Sequence, residues 1–143
     1  MRLIDGKNLS LGRLGAKAAK YLLNGEEVVI VNAEKIAIAG RMDKIVEKYH
    51  ERRTRKDKAN PENSAHTPRR PDLFVKRAIR GMLPYKSTRG RKAFSRLRVY
   101  MGEPAQFKDA VREDLSSLIC AGVKSRYADI EKICERLGYN KGV

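Results

Sequence analysis

The sequence contains few of the side chains that build catalytic, metal or base-stacking sites. It has two cysteines, two histidines, no tryptophan and only 6% aromatic residues among 143 positions. Cys120 and Cys134 lie far apart and no His cluster has metal-ligand spacing, so we expect reduced thiols and no metal site. Without an apolar run of about 18 residues or a signal-peptide pattern, we expect neither membrane association nor export, but a cytoplasmic chain.

Acidic residues are far outnumbered by basic residues in one part of the chain only. The formal net charge is +15, from 32 Lys plus Arg against 17 Asp plus Glu. Residues 1–40 hold 6 basic and 4 acidic side chains, residues 41–100 hold 19 and 6, and residues 101–143 hold 7 and 7. Such a concentrated excess goes beyond the needs of solubility and predicts a polyanionic partner for the middle segment.

The hydrophobic pattern predicts one α/β domain over residues 1–143. A helix capped by Ser10 and stopped at Gly25 separates two apolar runs, so these runs should form a parallel pair of strands. The direction of the next run stays open, because four residues are too few for a crossover helix. A helix capped by Ser125 should lie at the periphery. The predicted strands are residues 3–4, 28–31, 36–38 and 97–100.

Two helices in the middle segment separate their cations from their apolar faces. The first, over residues 41–56, has its core face at Met42, Ile45, Val46 and Tyr49. Its acidic residues Asp43, Glu47 and Glu51 fall on the far side of the helical wheel from a cationic stripe. The stripe consists of Arg41, Lys44, Lys48, Arg52 and Arg55. The second begins at Pro71 and ends before Pro84. Its apolar residues between Phe74 and Met82 occupy one side, and its three cations occupy the opposite side.

An arm without periodicity, residues 57–71, connects these two helices. Its prolines and asparagines provide no core, so we expect it to order against the partner, with a flexible loop as the alternative. Together we name residues 41–98 the basic excursion. Rigid cations beside apolar stripes suit phosphate binding, and the few aromatics argue against reading bases by stacking. The candidate RNA-binding residues are Arg13, Arg41, Lys44, Lys48, Arg52, Arg53, Arg55, Lys56, Lys58, His66, Arg69, Arg70, Lys76, Arg77, Arg80, Lys86, Arg89, Arg91, Lys92 and Arg96.

Two other motifs give weaker signals. Gly12 and Gly15 do not complete a nucleotide-binding pattern, so helix packing or a close backbone approach is the favoured reason for both. His50 and His66 could in principle serve an acid–base nuclease, but neither lies beside a carboxylate in any way the sequence fixes. We therefore predict no catalytic residue, no cofactor and no small-molecule substrate.

Several stretches resemble one known family, the L-thirteen family of large-subunit ribosomal proteins. Its signature is matched by residues 79–84 (Ile-Arg-Gly-Met-Leu-Pro), Gly90-Arg91 and residues 97–102 (Leu-Arg-Val-Tyr-Met-Gly). Further matches lie at residues 11–15, 22–25, 28–32 and 36–40, so the resemblance covers about the first three quarters of the chain. The arm lacks the Gly-rich stretch of bacterial relatives and is similar to the archaeal and eukaryotic branch.

The resemblance implies a fold, a function and partners. The fold would be a three-layer α/β/α domain with a small, mostly parallel four-stranded sheet. The function would be that of a structural and assembly protein bound to large-subunit ribosomal RNA, without a cofactor, beside neighbouring ribosomal proteins. A free-standing RNA-binding regulator is the second hypothesis and an RNA-processing enzyme the third. Balanced charge after residue 107 indicates protein neighbours or solvent there.

Overall fold

The computed structural model describes residues 1–108, 110–120 and 126–140. Its elements in chain order are β1 (Arg2–Asp5), α1 (Leu11–Leu23), β2 (Val28–Val31), β3 (Ala37–Ala39), α2 (Met42–Thr54), α3 (Pro71–Met82), α4 (Thr88–Ser95), β4 (Leu97–Val99), β5 (Tyr127–Asp129) and α5 (Ile130–Arg136). Short 3-10 turns, at Ala33–Lys35, Pro61–Asn63, Ala105–Phe107 and Ser116–Leu118, connect some of them.

The central sheet is parallel and has the order β1-β2-β4. Leu3 pairs with Val29 and Val29 with Arg98, so all three strands end at the same edge. Both crossovers move along the sheet in one direction. Because crossovers between parallel strands are right-handed, this order places α1 and α3 on one face. The parallel pair predicted around α1, and the strand predicted to complete the sheet, are confirmed.

The two faces of the sheet are covered differently. Ile4, Val28 and Ile30 are fully buried in one cluster with residues of α1, α3 and α4. On the opposite face Leu3, Val29 and Val31 pack against Phe107 and Ala110, which lie in and after a 3-10 turn. The predicted α/β class and the mostly parallel sheet are confirmed. In the described part of the chain the second covering layer is this short segment instead of the expected helices.

The sheet has three strands where we expected four, because β3 pairs elsewhere. It forms an antiparallel pair with β5, with Ala37 opposite Asp129 and Ala39 opposite Tyr127. This settles the direction that the sequence left open. On the free side of β1, the described residues contribute a single parallel bridge, between Leu3 and Arg112.

The helix predicted near the C-terminus differs from the structure in two respects. Tyr127 belongs to β5, and the helix begins at Ile130 with Asp129 as its N-cap. The predicted cap, Ser125, lies outside the described residues. The helix is also not peripheral, since Ile130 and Ile133 are fully buried. The apolar spacing predicts the helix correctly, but spacing does not reveal whether a short helix packs inside or outside.

Helix α4 was not predicted, because it has only eight residues, contains a glycine and has few apolar side chains. Its N-cap is Ser87, whose side chain accepts a hydrogen bond from the backbone N–H of Gly90 at 3.1 Å. A Cβ at Gly90 would lie 2.0 Å from the carbonyl oxygen of Pro84. Glycine therefore allows α4 to fold back onto the turn that follows α3. This gives a physical reason for glycine at position 90, which is part of the stretch that resembles the family signature.

The glycines of α1 give one confirmed and one wrong prediction. A Cβ at Gly15 would lie 2.8 Å from Sδ of Met82, so this glycine does allow close packing of α1 against α3. Gly12 is exposed and a Cβ there would meet nothing within 4 Å, so neither helix packing nor a close backbone approach explains it.

Candidate nucleic-acid interface

Helix α2 contacts the rest of the protein through a narrow apolar face. Ile45 is its one buried residue, and Met42, Val46 and Tyr49 are partly buried. This face packs against the cluster of Ala128, Ile133 and Leu137 from β5 and α5. The core face predicted for this helix is confirmed, and the remaining circumference is free to carry charge.

The opposite charges of α2 lie largely on different sides. Asp43, Glu47, His50 and Glu51 line one shallow groove, where Arg136 of α5 donates to Oδ1 of Asp43 at 2.7 Å. The separation is incomplete, because two cations of the predicted stripe reach acidic residues of the same helix. Lys44 pairs with Glu47 at 2.9 Å and Arg55 with Glu51 at 2.5 Å.

The arm between α2 and α3 is tied to both helices by arginines. Nη1 of Arg53 donates to the carbonyl oxygen of Thr67 at 2.7 Å, and Nη1 of Arg77 donates to that of His66 at 2.6 Å. Partial burial and the neighbouring Arg69 lower the pKa of Arg53. None of residues 55–70 is buried, so the arm has no core, as predicted. Its two arginine anchors were not predicted, because sequence does not show where a loop's carbonyl groups point.

The arm has local order of its own. The side chain of Asp57 accepts a hydrogen bond from the backbone N–H of Ala59 at 3.0 Å. The backbone N–H of Asp57 donates to Oγ of Ser64 at 2.8 Å. These bonds close a turn around the 3-10 segment Pro61–Asn63. The prediction that a partner orders the arm remains a prediction.

A groove forms where α2, the arm and α3 meet, with a volume of about 490 Å³. Tyr49 and Phe74 form its apolar wall, with ring centroids 4.7 Å apart. The guanidinium of Arg52 lies over the Tyr49 ring, 5.5 Å from its centroid. Burial raises the pKa of Tyr49, as expected for a phenol withdrawn from water. We call this the arm groove; it is lined by Tyr49, Arg52, Arg55, Ala65, Thr67, Phe74, Arg77, Ala78 and Gly81.

Most of the remaining candidate cations are exposed. Arg80 lies over the ring of Tyr85 at 5.2 Å and Lys76 over that of Phe94 at 5.3 Å, so aromatic contacts hold both without neutralising them. Arg70 pairs with Asp72 at 2.8 Å. Arg96 is half-buried. The other exposed candidates are Arg13, Arg41, Lys48, Lys56, Lys58, Arg69, Lys86, Arg89, Arg91 and Lys92.

The charge of the basic excursion is therefore mostly left unneutralised by the protein. In the described part of the chain, ion pairs with carboxylates involve three of the 19 Lys and Arg residues of the basic excursion, namely Lys44, Arg55 and Arg70. Outside the excursion, cations are more often paired. Arg112 bridges Asp5 and Glu103, and Arg2 pairs with Glu26 at 2.5 Å.

The two histidines line different grooves of the protein. His50 lines the acidic groove of α2, while the backbone of His66 binds Arg77 in the arm. Across residues 1–108, 110–120 and 126–140, no three His, Cys, Asp or Glu side chains are grouped so that they could hold a metal ion. Within the same residues, no helix is long and apolar enough to cross a membrane.

Comparison with known proteins gives a consistent result over nearly the whole chain. The family model of ribosomal protein L13 matches residues 1–106. Large ribosomal subunit protein uL13 of Methanocaldococcus jannaschii is 42% identical over 139 residues, covering 96% of this chain and 98% of the relative. The proteins of the same name from Archaeoglobus fulgidus and Methanosarcina barkeri are 40% and 41% identical, with 87% and 98% of their lengths covered. The chain therefore belongs to the ribosomal protein L13 family in its archaeal form, a family of structural proteins and not of enzymes.

Proposed function

We propose that this protein is a constituent of the large ribosomal subunit and binds ribosomal RNA through its basic excursion. The observation that carries the proposal is the set of exposed or partly exposed cations on α2, the arm, α3 and α4, of which few are neutralised by the protein's own carboxylates. Guanidinium and ammonium groups held on helices can meet successive phosphates without a large ordering cost. The name of the relatives, large ribosomal subunit protein, agrees with this assignment.

The scaffold positions these cations. Helix α3 contacts α1 and β4 through buried Phe74, Val75 and Ile79, and α4 is fixed against the turn at Pro84. Helix α2 is attached to the β5–α5 unit on its other side. Cations held on these fixed helices would keep the bound RNA segments at a fixed relative orientation and so support subunit assembly. Its location would be the ribosome in the cytoplasm, next to other ribosomal proteins.

The cleanest test uses Arg89 and Arg91 of α4. Both are exposed, and neither has an ion pair within the described residues, whereas Arg77 also holds the arm and would confound the result. We expect R89E/R91E to weaken binding to purified archaeal large-subunit RNA. The slope of log affinity against log salt should fall by about 0.7–0.9 for each phosphate that the variant no longer neutralises.

The matched control is K7E/K20E, which lowers the net charge equally at exposed positions outside the basic excursion. It should bind nearly as well as the unchanged protein. Equal reductions of affinity in both variants would mean that only total charge matters, and the proposed interface would be wrong. Sedimentation gives a second reading, since a free-standing regulator would not travel with large subunits.

A further inference from the structure

We infer that the arm groove binds a single nucleotide turned out of its RNA strand, with the base inside the groove and the phosphate on the surrounding arginines. The inference rests on the proposed function, since it specifies how part of the basic excursion would meet RNA. It differs from the expectation drawn from sequence, which was binding of phosphates without base stacking.

The groove has the size and lining of a small-ligand site. Its volume, about 490 Å³, lies in the range of clefts that bind small molecules. Arg52, Arg55 and Arg77 surround a wall formed by Tyr49, Phe74 and Ala78. An apolar wall surrounded by cations suits a ligand that is flat and weakly polar at one end and anionic at the other.

Stacking would occur on a guanidinium plane. Phe74 is buried and contacts Tyr49, and the guanidinium of Arg52 lies over Tyr49. Tyr49 therefore contacts the Phe74 ring, tilted by 59°, and is covered by the guanidinium of an exposed arginine. Guanidinium planes and aromatic rings are the surfaces on which proteins stack unpaired RNA bases. The small number of aromatic residues does not prevent this, because the guanidinium plane of one arginine can serve as the stacking surface.

Gly81 supports the same conclusion. A glycine in the last turns of a helix costs stability relative to alanine, and this one is exposed with nothing within 4 Å of a Cβ. No packing contact within the described residues requires it, in contrast to Gly90. Open space alone proves little, since Gly12 has it too. Gly81, however, opens onto the arm groove, where a side chain would occupy the volume assigned to the base.

The test compares RNA hairpins that differ in a single base. Each carries one bulged nucleotide (A, G, C or U), and the reference hairpin has an abasic residue at the same place, so charge and backbone are the same. We expect the full-length protein to bind at least one bulged hairpin about fivefold or more tightly than the abasic hairpin, the low end of the contribution from one stacked base. Equal affinities for all five hairpins would overturn the inference.

A variant at Gly81 localises the effect without changing charge. G81L should bind every hairpin with the affinity that the unchanged protein has for the abasic one, while G81A should keep most of the preference. If G81L retains the full preference, the base is bound elsewhere and the inference is wrong. R89E/R91E should weaken all hairpins alike and keep the ratio. A general decrease in RNA binding and a disappearance of base preference are therefore distinguishable.

Discussion

Helices α1 and α2 have the same length, 13 residues each, and opposite uses. Helix α1 buries six residues, among them Leu14, Ala18 and Leu22, whereas α2 buries Ile45 alone. Seven of the 13 residues of α2 are charged, against three of those of α1. The two helices therefore differ in role. Helix α1 stabilises the scaffold, while α2 is attached by a few apolar contacts and leaves its charged surface free for the proposed partner.

Truncating one core residue in each helix should produce the largest difference in the free energy of unfolding. L14A, at a fully buried position, should lower the free energy of unfolding by about 2–5 kcal/mol. I45A should cost less, because its cluster is small and Ile45 itself is slightly exposed. Urea denaturation of both variants measures the difference. Equal costs would mean that α2 is as much part of the core as α1.

The glycines of α3 and α4 should respond in opposite directions. G90A forces a methyl group against the carbonyl of Pro84 and should cost about 1–3 kcal/mol. G81A meets open space and should be neutral or stabilise the helix by up to about 1 kcal/mol. Thermal unfolding of the two variants provides the measurement, and a costly G81A would reveal a packing role that the structure does not show.

Removing Arg53 should loosen the arm and leave the scaffold intact. R53A removes the bond to the carbonyl of Thr67, a charged hydrogen bond whose contribution is about 1.5–3 kcal/mol. Hydrogen exchange of amides in residues 57–67 should therefore become about tenfold faster or more, while global stability changes by less than about 0.5 kcal/mol. K48A, an exposed position on the same helix, is the control and should leave arm exchange unchanged.

The smallest effect concerns the core thiol and is visible only at alkaline pH. Burial raises the pKa of Cys134 from 9.0 to about 12. In the unfolded chain the thiol ionises near its ordinary pKa, so stability is complete below pH 9 and declines as pH rises toward 12. By pH 10 the decrease should be on the order of 1 kcal/mol. Urea titrations of C134A at pH 8 and pH 10 should show a smaller decline, whereas an equal decline would contradict the shift.

The sequence by itself determined the elements whose patterns are long or unambiguous. The β-branched run of β2, the capped helix α1 and the apolar faces of α2 and α3 were all predicted at nearly their observed bounds. The concentration of cations in residues 41–98 was also a matter of sequence. These features are local, because propensity, spacing and charge depend on residues that are close together in the sequence.

Only the tertiary structure decided which surfaces meet. The pairing of β3 with β5 joins residues about ninety positions apart, and three-residue strands carry no signal for a partner. The arm groove likewise depends on arginines of α2 and α3 that bind carbonyl groups of the arm, and on a helix end where glycine leaves space. Such contacts arise from packing in three dimensions, so the spacing of residues along the chain does not determine them.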